Sequence, residues 1–209
     1  MYSTDIVEMC VDENGWAQGE FRVWSIDGAL LVTGNRRDGL ADGLIVGWGP
    51  SGFPAYCYLA RGGKRDGFML VWHEADQLAS STQFRDDQLH GEELRWAPNG
   101  QLLVEGEYFR GQAVGTWRYW NADGVFLGSY FLQNGTGKRR GWHDNGVLAW
   151  EGESEHGLEV GSWLFWNDKG ELLGWCDYHD DGSANCEGET RGVSRPSLDE
   201  TWREMQKQQ

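Results

Sequence analysis

The sequence predicts an all-β protein: an extended, twisted antiparallel sheet of about seven tandem β-hairpins, followed by a short C-terminal helix. The 209 residues include 13 Trp and 31 Gly, a composition typical of short strands separated by glycine turns rather than of packed helices. One tryptophan also recurs at separations of 24, 24, 24, 24, 22 and 24 residues, which indicates a repeated structural unit. These tryptophans are Trp24, Trp48, Trp72, Trp96, Trp120, Trp142 and Trp166.

Glycines keep a fixed distance from the repeat tryptophans, both five residues before and four residues after them, except that Asp76 replaces the later one once. This pattern predicts a strand that ends near the tryptophan, a tight turn that needs a positive φ, and a returning strand. In the fifth unit the first strand ends near Trp120, the turn covers residues 121–124, and residues 125–132 return. The shorter interval after Trp120 falls in a loop, so we expect strand register to be unaffected.

A single hairpin is marginally stable in water, so the units are expected to pair edge to edge and bury aromatic side chains between them. Burial of ~200 Å² of one tryptophan contributes at most about 5 kcal/mol. We therefore expect the seven repeat tryptophans to carry much of the stability. A sheet of this width must twist or curl, which predicts a curved ribbon.

The best copies of the unit are GTWRYWNADGVFLGSY from residue 115 and GSWLFWNDKGELLGW from residue 161. They resemble the MORN-type repeat, in the variant G-x-W-x-x-Y/W-x-x-x-G-x-L found in bacterial antitoxin-like proteins, and the resemblance covers about residues 15 to 182. It implies an antitoxin or immunity protein that covers the active site of a basic, nucleic-acid-targeting toxin. Eukaryotic MORN arrays imply the alternative, a structural scaffold or membrane-associated adaptor.

The two ends differ from the middle of the chain. Residues 1–18 are predicted to form an N-terminal capping half-repeat, residues 19–188 the seven hairpin repeats, and residues 189–209 a tail with a short helix. Ser197 and Glu200 form a capping-box pattern there, and Leu198, Trp202 and Met205 share one helical face. This helix either caps the last sheet edge or docks into a partner.

Motifs for catalysis and for phosphate or metal binding are missing from the sequence, so we expect neither an enzyme nor a cofactor. Cys176, His179 and Cys186 lack the paired spacing of a zinc site, which favours no metal. The four cysteines are few and scattered, and we interpret them as reduced thiols in a cytoplasmic protein. The N-terminal residues lack a signal-peptide pattern, and no run approaches the ~18 apolar residues of a membrane span.

The formal net charge is -15, and residues 141–189 hold twelve acids against one base. Carboxylates recur at the same repeat positions and alternate along one strand, which predicts an acidic band on one side of the sheet. Two interpretations stay open: a solvated face that keeps the sheet soluble, or a surface for a basic partner. The residues of this band are Glu105, Glu107, Glu151, Glu153, Glu155 and Asp177.

Residues 43–48 and 67–72, which include Phe68 and Leu70, are apolar at nearly every position. Such strands are covered on both faces, either by the terminal segments or by another chain, so a homodimer is possible. We predict that Phe68 and Leu70 join the acidic band in binding a cognate, basic protein toxin. The basic cluster at residues 138–140 is too small to indicate nucleic acid, and the net charge argues against nucleic acid and anionic membranes.

Overall fold

Each repeat folds as a pair of antiparallel strands joined beside the repeat tryptophan by a tight turn. The computed structural model describes residues 6–73, 76–179 and 181–190, and within these residues it contains strands and turns but no helix. The predicted all-β class is confirmed, whereas the predicted C-terminal helix lies outside the described residues. The strands are β1 (Ile6–Val11), β2 (Ala17–Trp24), β3 (Leu30–Arg37), β4 (Leu40–Ala41), β5 (Gly43–Trp48), β6 (Pro54–Arg61), β7 (Lys64–Trp72), β8 (Leu78–Arg85), β9 (Gln88–Trp96), β10 (Leu102–Phe109), β11 (Gln112–Trp120), β12 (Phe126–Leu132), β13 (Gly137–Trp142), β14 (Leu148–Glu155), β15 (Leu158–Trp166), β16 (Leu172–Tyr178) and β17 (Ala184–Gly188).

The strands pair with their sequence neighbours, always antiparallel. A 12-stranded sheet runs from β1 to β12, with the short β4 beside β3, and a 5-stranded sheet runs from β13 to β17. This order confirms the predicted long antiparallel sheet of consecutive hairpins. Because each strand contacts mainly the strands before and after it in sequence, each repeat is stabilised by its neighbours.

The strand ladder is interrupted between β12 and β13, at the shorter repeat interval. Only an isolated bridge between Gln133 and Thr136 continues the pairing there. The register within the repeats is unaffected, as expected: Trp142 pairs with Leu148 just as Trp120 pairs with Phe126. The pairing between the two repeats is nevertheless interrupted. β13 has 6 residues, against 9 in β11 and β15. Length alone does not explain the interruption, because β5 also has 6 residues and still pairs with β3.

The turn after each repeat tryptophan has the predicted conformation. In the fifth repeat Gly124 donates to the carbonyl of Asn121 at 3.0 Å and has a φ of 80°, and Asp76 takes a φ of 64° at the equivalent position. The Asn121 side chain accepts a hydrogen bond from the Val125 amide at 2.9 Å and donates to the Asp144 carbonyl of the next turn at 2.9 Å. Successive turns are thus joined as well as successive strands.

Two fully buried tryptophans stand three residues before repeat tryptophans. Trp117 and Trp163 are 0% and 1% exposed, whereas Trp120 and Trp166 are only half-buried. Trp117 lies across Gly106, where any Cβ would collide with the indole ring. The repeat tryptophans are therefore not the most deeply buried side chains, and their large share of the stability stays a prediction. They end their strands beside exposed turns, where neighbouring side chains cover only part of the ring.

The expectation that all four cysteines are reduced is also wrong. Cys176 and Cys186 lie directly opposite each other on β16 and β17 and form a disulfide, while Cys10 and Cys57 are free thiols. The sequence alone did not indicate β17, and without that strand the two sulfur atoms have no reason to meet. The disulfide joins the exposed β17 to Cys176, which is fully buried.

Candidate partner-binding face

The sheet has one buried face and one accessible face. Trp117, Tyr130 and Leu132 form a buried cluster on the first face. Side chains of directly paired antiparallel residues point to the same side, and the pairs Leu70–Ser81, Ser81–Leu94 and Leu94–Glu105 define the opposite side. We call this opposite side the outer face.

All eight predicted partner-binding residues lie on the outer face. Phe68 and Glu107 stand two residues from Leu70 and Glu105, so their side chains point the same way. In the second sheet the predicted carboxylates alternate with the buried Trp150 and Ser154, and they therefore lie opposite the aromatic core. The structure brings the set onto one face, and binding of a partner stays a prediction. The set is Phe68, Leu70, Glu105, Glu107, Glu151, Glu153, Glu155 and Asp177.

The buried faces of the two sheets are continuous across the interruption. Trp142 of β13 packs against the Trp117 cluster, with its ring 5.7 Å from that of Tyr119. Within the second sheet, the guanidinium carbon of Arg139 lies 6.0 Å and 5.7 Å from the ring centres of Trp150 and Trp163, on the same buried face. Since the buried faces meet, the outer faces of the two sheets also meet.

A shallow cleft of about 440 Å³ on the outer face holds three carboxylates, those of Glu92, Glu105 and Glu107. Arg118 pairs with Glu105 at 3.2 Å. Glu92 and Glu107 stand directly opposite each other on β9 and β10, an arrangement of like charges that destabilises a sheet. The cleft therefore carries a net negative charge. The sequence did not indicate Glu92 or Arg118, because the strand register that brings them beside Glu105 is a tertiary property.

The carboxylate of Glu151 is paired. Lys138 Nζ lies 2.9 Å and Arg140 Nε 2.6 Å from its oxygens. Partial burial works against the charge of this carboxylate, but the hydrogen bonds from Arg140 and Lys138 outweigh burial and hold the pKa of Glu151 below its ordinary value. Glu153 and Glu155 remain exposed. The basic cluster of residues 138–140 thus neutralises part of the acidic band and is not a separate surface.

An apolar patch lies on the outer face over β5 to β7. Leu44, Leu59 and Phe68 are 49%, 43% and 51% exposed, and Leu44 stands directly opposite Leu59. Leu70 is partly buried beside them. No segment of the described chain covers this patch, although the sequence pattern predicts a cover on both faces. We name Leu44, Leu59, Phe68 and Leu70 the apolar patch.

Two sets of polar side chains are buried on the face opposite the outer face, which we call the inner face. Glu93, 2% exposed, accepts hydrogen bonds from Thr82 at 2.5 Å and from Arg95 at 2.7 Å. The hydroxyls of Tyr119 and Tyr130 are 2.6 Å apart, and burial, with the charge and hydrogen bond of Tyr130, raises the pKa of Tyr119 well above its ordinary value. Because these groups satisfy one another, we interpret them as structural.

The fold and the outer face define a class: an all-β hairpin-repeat protein with an accessible face that is partly acidic and partly apolar. The chain matches no protein-family model and no curated protein. The resemblance to MORN-type antitoxins therefore stays a prediction. In the described part of the chain, no three His, Cys, Asp or Glu side chains are grouped to hold a metal ion. The same residues form no helix that is long and apolar enough to cross a membrane.

Proposed function

We propose that this protein is a binding module that neutralises a basic protein toxin, and that the toxin docks on the outer face. The observation that carries the proposal is the acidic cleft, where Glu92 and Glu107 stand opposite each other and Arg118 is the one cation of the lining. Two like charges directly opposite each other on neighbouring strands lower the stability of the folded protein. A partner that brings Lys or Arg into the cleft relieves this repulsion, so the same pair that destabilises the free protein favours the complex.

The apolar patch supports a protein partner rather than a small cation. It lies about three strands, or ~14 Å, from Glu105 on the same face. A partner that spans this distance contacts both Phe68 and the acidic cleft. Burial of exposed aromatic and aliphatic side chains at the centre of an interface supplies most of the affinity, and the surrounding carboxylates raise the association rate and specificity. A toxin with a basic active cleft for nucleic acid has the complementary charge.

The proposal is tested by co-expression with the product of an adjacent gene, with growth rescue and affinity as readouts. The variant reverses three exposed carboxylates of the outer face: Glu107→Lys, Glu153→Lys and Glu155→Lys. We expect the fold to persist and the affinity to fall by at least roughly tenfold, since rim charges act mainly on association and central charges on dissociation. The apolar patch is tested separately by Phe68→Ser.

A matched control makes the same change of charge in the exposed turns, away from the outer face: Asp27→Lys, Asp123→Lys and Asp168→Lys. This control should keep full affinity and growth rescue. Equal loss in the two triple variants would show that net charge alone governs binding. Full affinity in the outer-face variant would contradict the proposed docking surface, and an adjacent product that is neither toxic nor bound would contradict the antitoxin role.

A second candidate function, a self-associating scaffold, is favoured by the exposure of Leu44, Leu59 and Phe68. Two copies that bury these patches against each other would form a homodimer. Sedimentation of the wild type and of Phe68→Ser distinguishes the two functions. A dimer that dissociates in the variant favours the scaffold, whereas a monomer in both favours the binding module. Salt-resistant flotation with anionic liposomes would instead indicate a membrane adaptor.

A further inference from the structure

A second cleft, of about 530 Å³, opens on the outer face where β8, β9 and β10 reach their hairpin turns. It differs from the acidic cleft in charge. Three of its side chains are always cationic, one is an imidazole and one is a carboxylate. Such a concentration of positive charge is unexpected in a chain with a net charge of -15. The lining includes Lys64, Arg85, Asp86, His90, Phe109 and Arg110, and we call it the basic cleft.

The nearby carboxylates do not neutralise the basic cleft. Asp86 lies 3.6 Å from Lys64 and pairs with it. Asp87, the next residue, accepts hydrogen bonds from the backbone amide and the Nε of Arg65 at 2.9 Å and 2.8 Å. Within the described residues, no carboxylate forms an ion pair with Arg85 or with Arg110. Two guanidinium groups are therefore available to an anion.

One of these two guanidinium groups, that of Arg110, contacts a ring before any ligand binds. The Phe109 ring lies 5.1 Å from the imidazole of His90, and the guanidinium carbon of Arg110 lies 5.3 Å from the centre of the same ring. Arg85 stands directly opposite Gln88 at the end of β8 and β9. Because the guanidinium of Arg110 already stacks on Phe109, less of its side-chain entropy is lost when an anion binds.

The turn beside the basic cleft has the same backbone conformation as the five other turns that join successive repeats, but its second residue is not glycine. Asp86 and Asp87 both have positive φ values, 51° and 67°. The second of these positions strains a residue that carries a Cβ, and the hydrogen bonds from Arg65 offset that strain. Strained backbone of this kind concentrates at functional sites. The five other turns that join successive repeats place glycine at the second position, at Gly39, Gly63, Gly111, Gly135 and Gly157.

We propose that the basic cleft binds a small phosphate ester, with the phosphate between the guanidinium groups of Arg85 and Arg110 and the organic part against Phe109. A guanidinium offers two parallel donors that match phosphate oxygens, and Lys64, paired with Asp86, lies at the edge of the cleft. The volume suits a ligand of roughly nucleotide size. Because the cleft is open to solvent, we expect a Kd on the order of 0.1 to 1 mM. This proposal is independent of the toxin-binding proposal.

The test is an NMR titration of the full chain with phenyl phosphate at constant ionic strength, followed through the amide signals of Gln88 and His90. The variant Arg85→Ser with Arg110→Ser removes the phosphate donors. The control, Arg22→Ser with Arg37→Ser, removes the same charge from two arginines that pair with Glu20 and Asp42. We expect saturable shifts in the wild type and in the control, and at least about tenfold weaker binding in the Arg85 and Arg110 variant.

Three results would overturn the proposal. Absence of saturation in the wild type would show that the basic cleft holds no defined site. Equally weaker binding of phenyl phosphate in both double variants would show that the net charge of the protein, and not the basic cleft, governs binding. Equal binding of succinate, or binding of a single-stranded oligonucleotide without binding of phenyl phosphate, would assign the cleft to carboxylates or to a nucleic acid. Near-identical melting temperatures of the two double variants ensure that the comparison concerns binding and not folding.

Discussion

Glu92 and Glu107 stand directly opposite each other on β9 and β10, with their carboxylates on the outer face and Gly106, the neighbour of Glu107, beneath the buried indole of Trp117. The packing beneath the strands fixes their register, so the two like charges cannot slip apart. Repulsion at this position and the proposed attraction for a basic partner have the same origin. The acidic cleft is thus positioned by the aromatic core on the opposite side of the sheet.

The first prediction concerns this pair. Glu107→Lys replaces repulsion with attraction to Glu92 and should raise the free energy of unfolding by ~0.5 kcal/mol. Glu153→Lys makes the same change of charge opposite Lys138 and should lower the free energy of unfolding by a similar amount. Urea unfolding of the two variants measures both effects. Changes of the same sign would show that net charge, and not the cross-strand pair, determines the stability.

The second prediction concerns the core. Trp117→Ala empties the most buried site of the sheet and should cost about 3 to 5 kcal/mol, more than Trp120→Ala, whose side chain is half-buried. Gly106→Ala should also destabilise, by about 1 to 3 kcal/mol, because its Cβ collides with the Trp117 indole. Denaturant unfolding ranks the three variants. If Trp120→Ala lowered the free energy of unfolding as much as Trp117→Ala does, the repeat tryptophans would contribute as much to the core as Trp117.

The third prediction concerns pH. The pKa of folded Glu151 lies below its ordinary value of 4.5, so the unfolded chain takes up this proton first as the pH falls. The contribution of Glu151 to stability is therefore present above about pH 4.5 and is lost as the pH falls through its folded pKa. Glu151→Gln should be less stable than the wild type at pH 7, and the difference should shrink in acid. Unfolding at several pH values checks this, and a constant difference would contradict it.

The fourth prediction concerns the disulfide, which closes a segment with a sequence separation of 10. Cys186→Ser should lower the free energy of unfolding by about 2 to 3 kcal/mol under oxidising conditions. A reducing agent should bring the wild type to the level of this variant and speed amide exchange in β17. Cys10→Ser, which removes a free thiol, should have no such effect. Wild-type stability that does not respond to reduction would contradict the structural role of the disulfide.

Much of the fold was predictable because its signals are local. The spacing of Trp120, Gly124 and the other members of the repeat indicates strands, turns and their number. The turn at Asn121 was predictable from the residues that a positive φ and a tight turn require. The burial of Trp117 in preference to Trp120 was not, because depth depends on which glycine of a neighbouring strand lies beneath the ring.

The outer face was predictable only in part. Alternation along β14 placed Glu151, Glu153 and Glu155 on one side without reference to other strands. The pairing of Glu151 with Lys138 and Arg140 depends on cross-strand register, and so does the meeting of Glu92 with Glu107. The basic cleft gathers Lys64, Arg85 and Arg110 from beside three successive turns that join the repeats, and no short motif connects them.

By itself, the sequence determined the class, the repeat length and, along β14, the side on which Glu151, Glu153 and Glu155 lie, since these follow from spacing and from the alternation of a strand. Tertiary structure alone decided which charges meet, which aromatic ring is buried, where the ladder is interrupted and that Cys176 reaches Cys186. The physical reason is that a strand specifies its own two faces. The partner of each residue depends on how neighbouring strands pack and slide into register.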